Sequence, residues 1–118
     1  MTLNIEASRE QNVIYGNVSD SEGNVVGFTI YNEEGKIVLC VSGVGNISKK
    51  VYHMFSEFLK EYGEAKTATI TFPSVEDAGS KRLKGNVWLC SKWTLKSTVT
   101  VEHVLNAVYL FCKANAKQ

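Results

Sequence analysis

The chain has 118 residues, of which 44% are hydrophobic and 21% charged, and its formal net charge is +1. This length suits one globular domain, which can bury a core without disulfides. One proline and nine glycines exclude collagen-like and low-complexity chains. No apolar run approaches the ~20 residues of a membrane span, and the N-terminal residues lack the basic and apolar regions of a secretory signal. We therefore expect a single cytoplasmic domain over residues 1–118, with flexible ends at 1–11 and 114–118.

The first part of the chain predicts three antiparallel strands. Residues 12–18, 25–31 and 36–42 are rich in strand-forming side chains, and two polar turns separate them. Turns this short join antiparallel neighbours, so the three strands form a meander. The third strand is apolar without alternation from Ile37 to Val41, which predicts burial on both of its faces.

A helix is predicted over residues 47–62. Its apolar residues recur at spacings of three and four, which is typical of a helix with one wide buried face; they are Ile47, Val51, Met54, Phe55, Phe58, Leu59 and Tyr62. Asn46 or Ser48 can cap the start of this helix, and Gly63 is expected to end it.

The second half predicts a strand over 67–72, an optional short strand over 81–84, a strand over 86–93 and a final helix over 101–113, capped by Thr100. The predicted order is β-β-β-α-β-(β)-β-α. We therefore expect an α+β domain, an α/β sandwich, in which two main helices pack on a mostly antiparallel sheet of five to six strands.

The three cysteines do not suggest a disulfide framework. Cys40, Cys90 and Cys112 are odd in number, widely spaced and flanked by apolar residues, which favours three small core residues in a reducing compartment. The sequence also lacks a close cysteine pair for metal, a nucleophile elbow, a phosphate-binding loop and a dinucleotide fingerprint. We expect a protein that is not an enzyme and that holds no metal or cofactor.

Charge is distributed unevenly along the chain. Residues 1–45 carry a net charge of −4 and residues 46–118 carry +5. The densest basic cluster, 81–84, is followed by Lys92 and Lys96 and lies near Trp88 and Trp93, so it is a candidate nucleic-acid surface. The sequence pI of about 7.7 is low for such a surface, and it favours a solvated or protein-binding face.

Residues 26–39 resemble the opening hairpin of roadblock-type domains, which share a profilin-like architecture. In both, an apolar strand, an Asn/Asp-x-x-Gly turn and a second apolar strand precede small residues, here 42–45, and a long helix. The resemblance extends over about residues 25–113, with 69–72 and 86–90 as the later strands. It implies a non-enzymatic adaptor or scaffold in signalling that forms homodimers or heterodimers and binds a small GTPase or a motor or trafficking complex.

Residues of the first helix and of the basic cluster are the candidate partner-binding positions. An amphipathic helix and the edge of a sheet are common dimer surfaces, so we expect the interface to use the helix over 47–62 and one of the first three strands. The candidates are Val51, Met54, Phe55, Phe58, Lys81, Arg82, Lys84 and Trp93.

A ribonuclease H-like topology fits the same order of elements. The resemblance to that fold implies an active site that needs metal-binding carboxylates on the first strand, the first helix and the end of the fourth strand. Residues 12–18 and 69–74 contain no acidic side chain, and only Glu57 is suitably placed. The alternative function is therefore an RNA-binding or ribonucleoprotein module without nuclease activity.

Overall fold

Strands and helices follow one another in an α+β order in this computed structural model, which describes residues 3–71 and 86–116. The elements are β1 (Asn4–Glu10), β2 (Val13–Ser19), β3 (Val25–Glu33), β4 (Lys36–Val44), α1 (Gly45–Leu59), β5 (Gly63–Thr71), β6 (Asn86–Leu95) and α2 (Val101–Ala114). The strands form one antiparallel sheet in the order β1-β2-β3-β4-β6-β5. The predicted α+β class, with an antiparallel sheet and two helices, is confirmed. The optional strand over 81–84 lies outside the described residues.

Both helices pack on the same face of the sheet, here called the inner face. Phe55 of α1 lies at the centre of this layer, with its ring centroid 4.8 Å from that of Phe28 on β3 and 6.1 Å from that of Phe111 on α2. Phe58 also contacts Phe111, at 4.8 Å. Alternate residues of each strand point to the same face, so the sheet contributes every second side chain to this core. The strand residues of the core are Ile5, Ile14, Val18, Val26, Phe28, Ile30, Ile37, Leu39, Val41 and Trp93.

Residues 4–10 form an edge strand, although the sequence predicted a flexible end over 1–11. The pairing with β2 runs from Asn4↔Ser19 to Glu10↔Val13, and the side chain of Ile5 is fully buried. This segment has few apolar residues, so it forms a strand because it pairs with β2 rather than because of its own sequence. Position 114, also predicted to be flexible, is the last residue of α2, whereas residues 117–118 lie outside the described part of the chain.

The outer edge of β1 is occupied by the C-terminal end of α2. The Ile5 backbone N–H donates to the Asn115 carbonyl at 3.1 Å, and the Lys113 ammonium donates to the Ala7 carbonyl at 3.4 Å. These contacts satisfy backbone groups that an edge strand otherwise presents to other chains.

The ends of α1 differ from the prediction. The helix begins at Gly45 after Val44, without a side-chain cap, and Asn46 and Ser48 lie inside it. Gly63 does not end the helix, which stops at Leu59, but begins β5. A Cβ at this glycine would lie only 2.3 Å from the Thr94 carbonyl oxygen, so the close approach of β5 and β6 requires glycine here.

The start of α2 confirms the predicted cap. The Thr100 hydroxyl accepts a hydrogen bond from the His103 backbone N–H at 3.1 Å. The apolar face of this helix, with Val104, Leu105 and Val108, is buried against the sheet.

Replacing Phe55→Ala is expected to lower the free energy of unfolding by about 3–5 kcal/mol, because it removes a buried ring between two elements and leaves a cavity. Chemical denaturation measures this change. The control is Leu110→Ala on α2, where the side chain is 68% exposed, and there we expect a change within about 0.5 kcal/mol. Equal effects of the two substitutions would contradict the central position of Phe55.

Replacing Thr100→Ala is expected to cost about 1 kcal/mol of unfolding free energy, because the first turn of α2 loses its side-chain acceptor. Thr100→Ser keeps the hydroxyl and is expected to stay close to the wild-type stability. Thermal and denaturant unfolding of both variants provide the measurement, and an equal loss in the serine variant would show that the hydroxyl does not cap the helix.

Candidate functional site

The face of the sheet opposite the helices, here called the outer face, carries neither of the two described helices. Five large apolar side chains are exposed in the described residues, and four of them belong to this face: Tyr15, Val25, Val44 and Trp88, with exposed fractions of 39–53%. The fifth, Leu110, is on α2. Tyr15 and Trp88 border one hollow, whereas Val25 and Val44 lie at the ends of their strands. Exposed aromatic side chains beside a hollow are typical of an interaction site.

The strand register arranges the outer face in rows. One row runs across β2, β3, β4 and β6 through Tyr15, Thr29, Cys40 and Cys90, and the next row runs through Asn17, Gly27, Ser42 and Trp88. Because residues two apart on a strand share a face, the two rows are neighbours. The outer face therefore combines aromatic, small and thiol side chains.

A hollow of about 530 Å³ lies in the middle of these rows. Gly27 is on its floor, where an added Cβ would be 3.7 Å from the Ser42 hydroxyl oxygen and 3.9 Å from the Asn17 amide oxygen. Tyr15, Tyr31 and Trp88 contribute aromatic rings to its lining. The hollow has the volume of common binding pockets, and the missing side chain at Gly27 contributes to its depth.

Charged side chains lie towards the rim of the outer face. Lys92 Nζ is 2.5 Å from Glu33 Oε2, and both side chains are almost half exposed. Tyr15 donates its hydroxyl to Glu10 at 3.0 Å, and this hydrogen bond together with the negative charge of Glu10 raises the pKa of the tyrosine. An uncharged centre within a charged rim is the usual anatomy of a protein interface.

Two of the three cysteines belong to the outer face rather than to the core that the sequence predicted. Cys40 and Cys90 are half-buried and directly opposite each other on β4 and β6, and both line the hollow. Cys40 alternates with Leu39 and Val41, which point to the helices, so its own side chain points away from them. Cys112 is buried in the core, as predicted.

Burial raises the pKa of the Cys40 thiol to about 12, and a hydrogen bond with Cys90 and the negative charge of Glu33 act in the same direction. The thiol is therefore almost entirely protonated at neutral pH.

Three of the predicted partner-binding residues lie in the core of the chain. Val51 and Phe55 are fully buried, and Trp93 is only 3% exposed, with its indole N–H donating to Ser91 Oγ at 2.8 Å. The apolar periodicity that identified the helix marks the side that packs against the sheet, so these residues do not present a surface on this chain.

The other predicted site residues divide into two groups. Met54 and Phe58 are partly buried and pack against the core. Lys81, Arg82 and Lys84 lie outside the described residues.

Tyr15 and Gly27 were not found from the sequence, and Trp88 was indicated there only as an aromatic neighbour of the basic cluster. Alternation along each strand indicates two faces, but the sequence does not specify which of them the helices leave uncovered.

Residues 3–71 and 86–116 contain no group of three or more His, Cys, Asp or Glu side chains placed to hold a metal ion, and no helix among them is long and apolar enough to cross a membrane. No protein-family model, no curated protein and no solved structure matches this chain. The resemblance to roadblock-type domains stays a prediction.

Alkylation of Cys40 by iodoacetamide is expected to be at least about a hundredfold slower at pH 8 in the folded chain than in the unfolded chain, because the thiolate is the nucleophile and the raised pKa lowers its fraction. The rate is expected to keep rising with pH above 9, since the pKa is about 12. Mass spectrometry of the Cys40 peptide measures both rates. A plateau near pH 9 would contradict the raised pKa.

Proposed function

We propose that this protein is a non-enzymatic adaptor that forms a homodimer by packing the outer faces of two sheets against each other, and that binds further protein partners through surfaces left outside this interface. The observation that carries the proposal is the concentration of exposed apolar side chains on the outer face, with Tyr15 and Trp88 beside the hollow at Gly27.

The outer face has the features of a self-complementary surface. A two-fold dimer brings the same patch of each copy together, so a protruding side chain needs a depression on the same patch. Trp88 is half exposed and Gly27 lies two strands away in the same row. The patch therefore supplies both an aromatic side chain to insert and a hollow to receive one.

The size of the face is sufficient for a dimer. Six strands of seven to ten residues, spaced by about 4.8 Å and rising by about 3.3 Å per residue, give a face of roughly 650 Å². Two such faces bury about 1,300 Å² before the additional area of protruding side chains is counted, which lies in the lower range of stable interfaces. Two sheets packed face to face lie about 10 Å apart and interdigitate their side chains.

Two other surfaces support dimerisation less well. The apolar side of α1, which the sequence predicted as the interface, is already buried in the core of its own chain. The outer edge of β1 is occupied by the contacts of Ile5 and Ala7 with the end of α2, which disfavours pairing with a strand of another chain.

The class of partner rests on the resemblance alone. A small GTPase or a motor or trafficking complex in the cytoplasm is proposed because roadblock-type domains serve such complexes. For the RNA-binding alternative, no described contact offers specific support: Trp93, its candidate stacking residue, is buried, and Lys92 is paired with Glu33.

Analytical ultracentrifugation of the wild-type chain is expected to show a dimer that dissociates on dilution. Trp88→Ala is expected to raise the dissociation constant at least about tenfold, because large aromatic residues at the centre of an interface contribute most to its stability. The control, Leu110→Ala, removes an exposed apolar side chain on the helical side and is expected to leave the dissociation constant unchanged.

Gly27→Val tests the hollow without removing a contact. The new side chain meets no atom closer than van der Waals distance at its Cβ and favours a strand, so the fold is expected to be retained in circular dichroism while the dimer weakens. A wild-type chain that stays monomeric at all concentrations would refute dimerisation through the outer face. If the monomer instead binds a peptide selected from a random library, and Trp88→Ala abolishes this binding, the outer face is a binding site for a different protein rather than for a second copy of the chain.

A further inference from the structure

We propose that Cys40 and Cys90 together form a binding site for a soft monovalent metal ion of the Cu(I) type, at the floor of the hollow on the outer face. The two residues are 50 positions apart in the sequence, so no ligand motif indicates the pair.

Strand pairing brings the two thiols together. Cys40 on β4 and Cys90 on β6 are direct partners in an antiparallel ladder, where opposite Cα atoms are about 4.5–5.5 Å apart and the side chains point to the same face. Both thiols are free rather than linked in a disulfide. The ladder therefore holds the two cysteines side by side on one face of the sheet.

An ion can reach the pair from the hollow. Both cysteines are half-buried and line it, whereas Cys112 is fully buried among the side chains of the core. The site is complete within one chain; because the proposed dimer would cover the hollow, the ion is expected to bind the monomer, and the titration is run at a concentration where the chain is monomeric.

The type and number of the ligands indicate which metal ion the pair would bind. Thiolates are soft ligands that favour Cu(I) and Zn²⁺, but a structural zinc ion takes four ligands, and the described residues bring no third His, Cys, Asp or Glu to the pair. Cu(I) forms stable complexes with two thiolates. Binding releases both thiol protons to solvent and leaves a complex with one negative charge, with no change in oxidation state.

The charged groups beside the pair nearly balance. Lys92 follows Cys90 by two residues on the same face, and its ammonium group is paired with the Glu33 carboxylate, whose negative charge also acts on Cys40. Because binding releases the two thiol protons, the apparent affinity is expected to increase with pH.

The test is an anaerobic titration of the reduced, full-length chain with Cu(I) supplied as its bicinchoninate complex, whose absorbance falls as the protein takes the ion. We expect one ion per chain. Cys40→Ser and Cys90→Ser are each expected to weaken binding by at least about a hundredfold. In each variant the remaining thiolate binds the ion alone, without a second ligand that the fold holds beside it. Cys112→Ala is the matched control and is expected to bind as the wild type does.

Absence of binding by the reduced wild-type chain, or equal binding by either serine variant, would overturn the proposal. Phenylarsine oxide gives a second measurement that needs no variant, because its arsenic forms two As–S bonds with a pair of close thiols and releases one water. Peptide mass spectrometry is expected to find this bridge between Cys40 and Cys90. An arsenic bridge that involves Cys112, or no bridge in the folded chain, would refute the proposed pairing.

Discussion

The packing of aromatic rings between the two helices and the inner face of the sheet is the interaction on which the remaining structure depends. Phe55 of α1 contacts Phe28 on the sheet and Phe111 on α2, so a single buried side chain joins the two helices and the sheet. Burial of apolar surface is the main favourable contribution to folding, and both helices use their apolar sides for it. Neither described helix is left to cover the opposite face.

The properties of the outer face follow from this one-sided packing. Strand alternation sends half of the side chains of each central strand away from the helices, and in this chain those side chains include Tyr15, Trp88 and the two opposed cysteines. A domain with helices on both faces would bury such residues. Here they surround a hollow centred on Gly27, which gives the chain a surface suited to contact with another molecule.

Sequence reasoning found most of the fold and little of the site, for physical reasons. Helix periodicity and the Thr100 cap are local properties, so α2 was predicted within a residue of its observed ends. The strand over Asn4–Glu10 was missed because its stability comes from pairing with β2 and from the contact of Ile5 with Asn115. The same periodicity led the site prediction to Val51 and Phe55, which the core of the chain buries, because the apolar residues that identify a helix are also those that it packs against the sheet.

The sequence by itself determined the class of fold, the antiparallel meander and the approximate position of both helices, since propensity, alternation and turn chemistry act over a few residues. Only the tertiary structure decided which face of the sheet the helices cover and which residues meet across strands. Cys40 and Cys90 illustrate the reason: their pairing depends on the register between β4 and β6, which is set by the packing of the whole core rather than by any short segment of the chain.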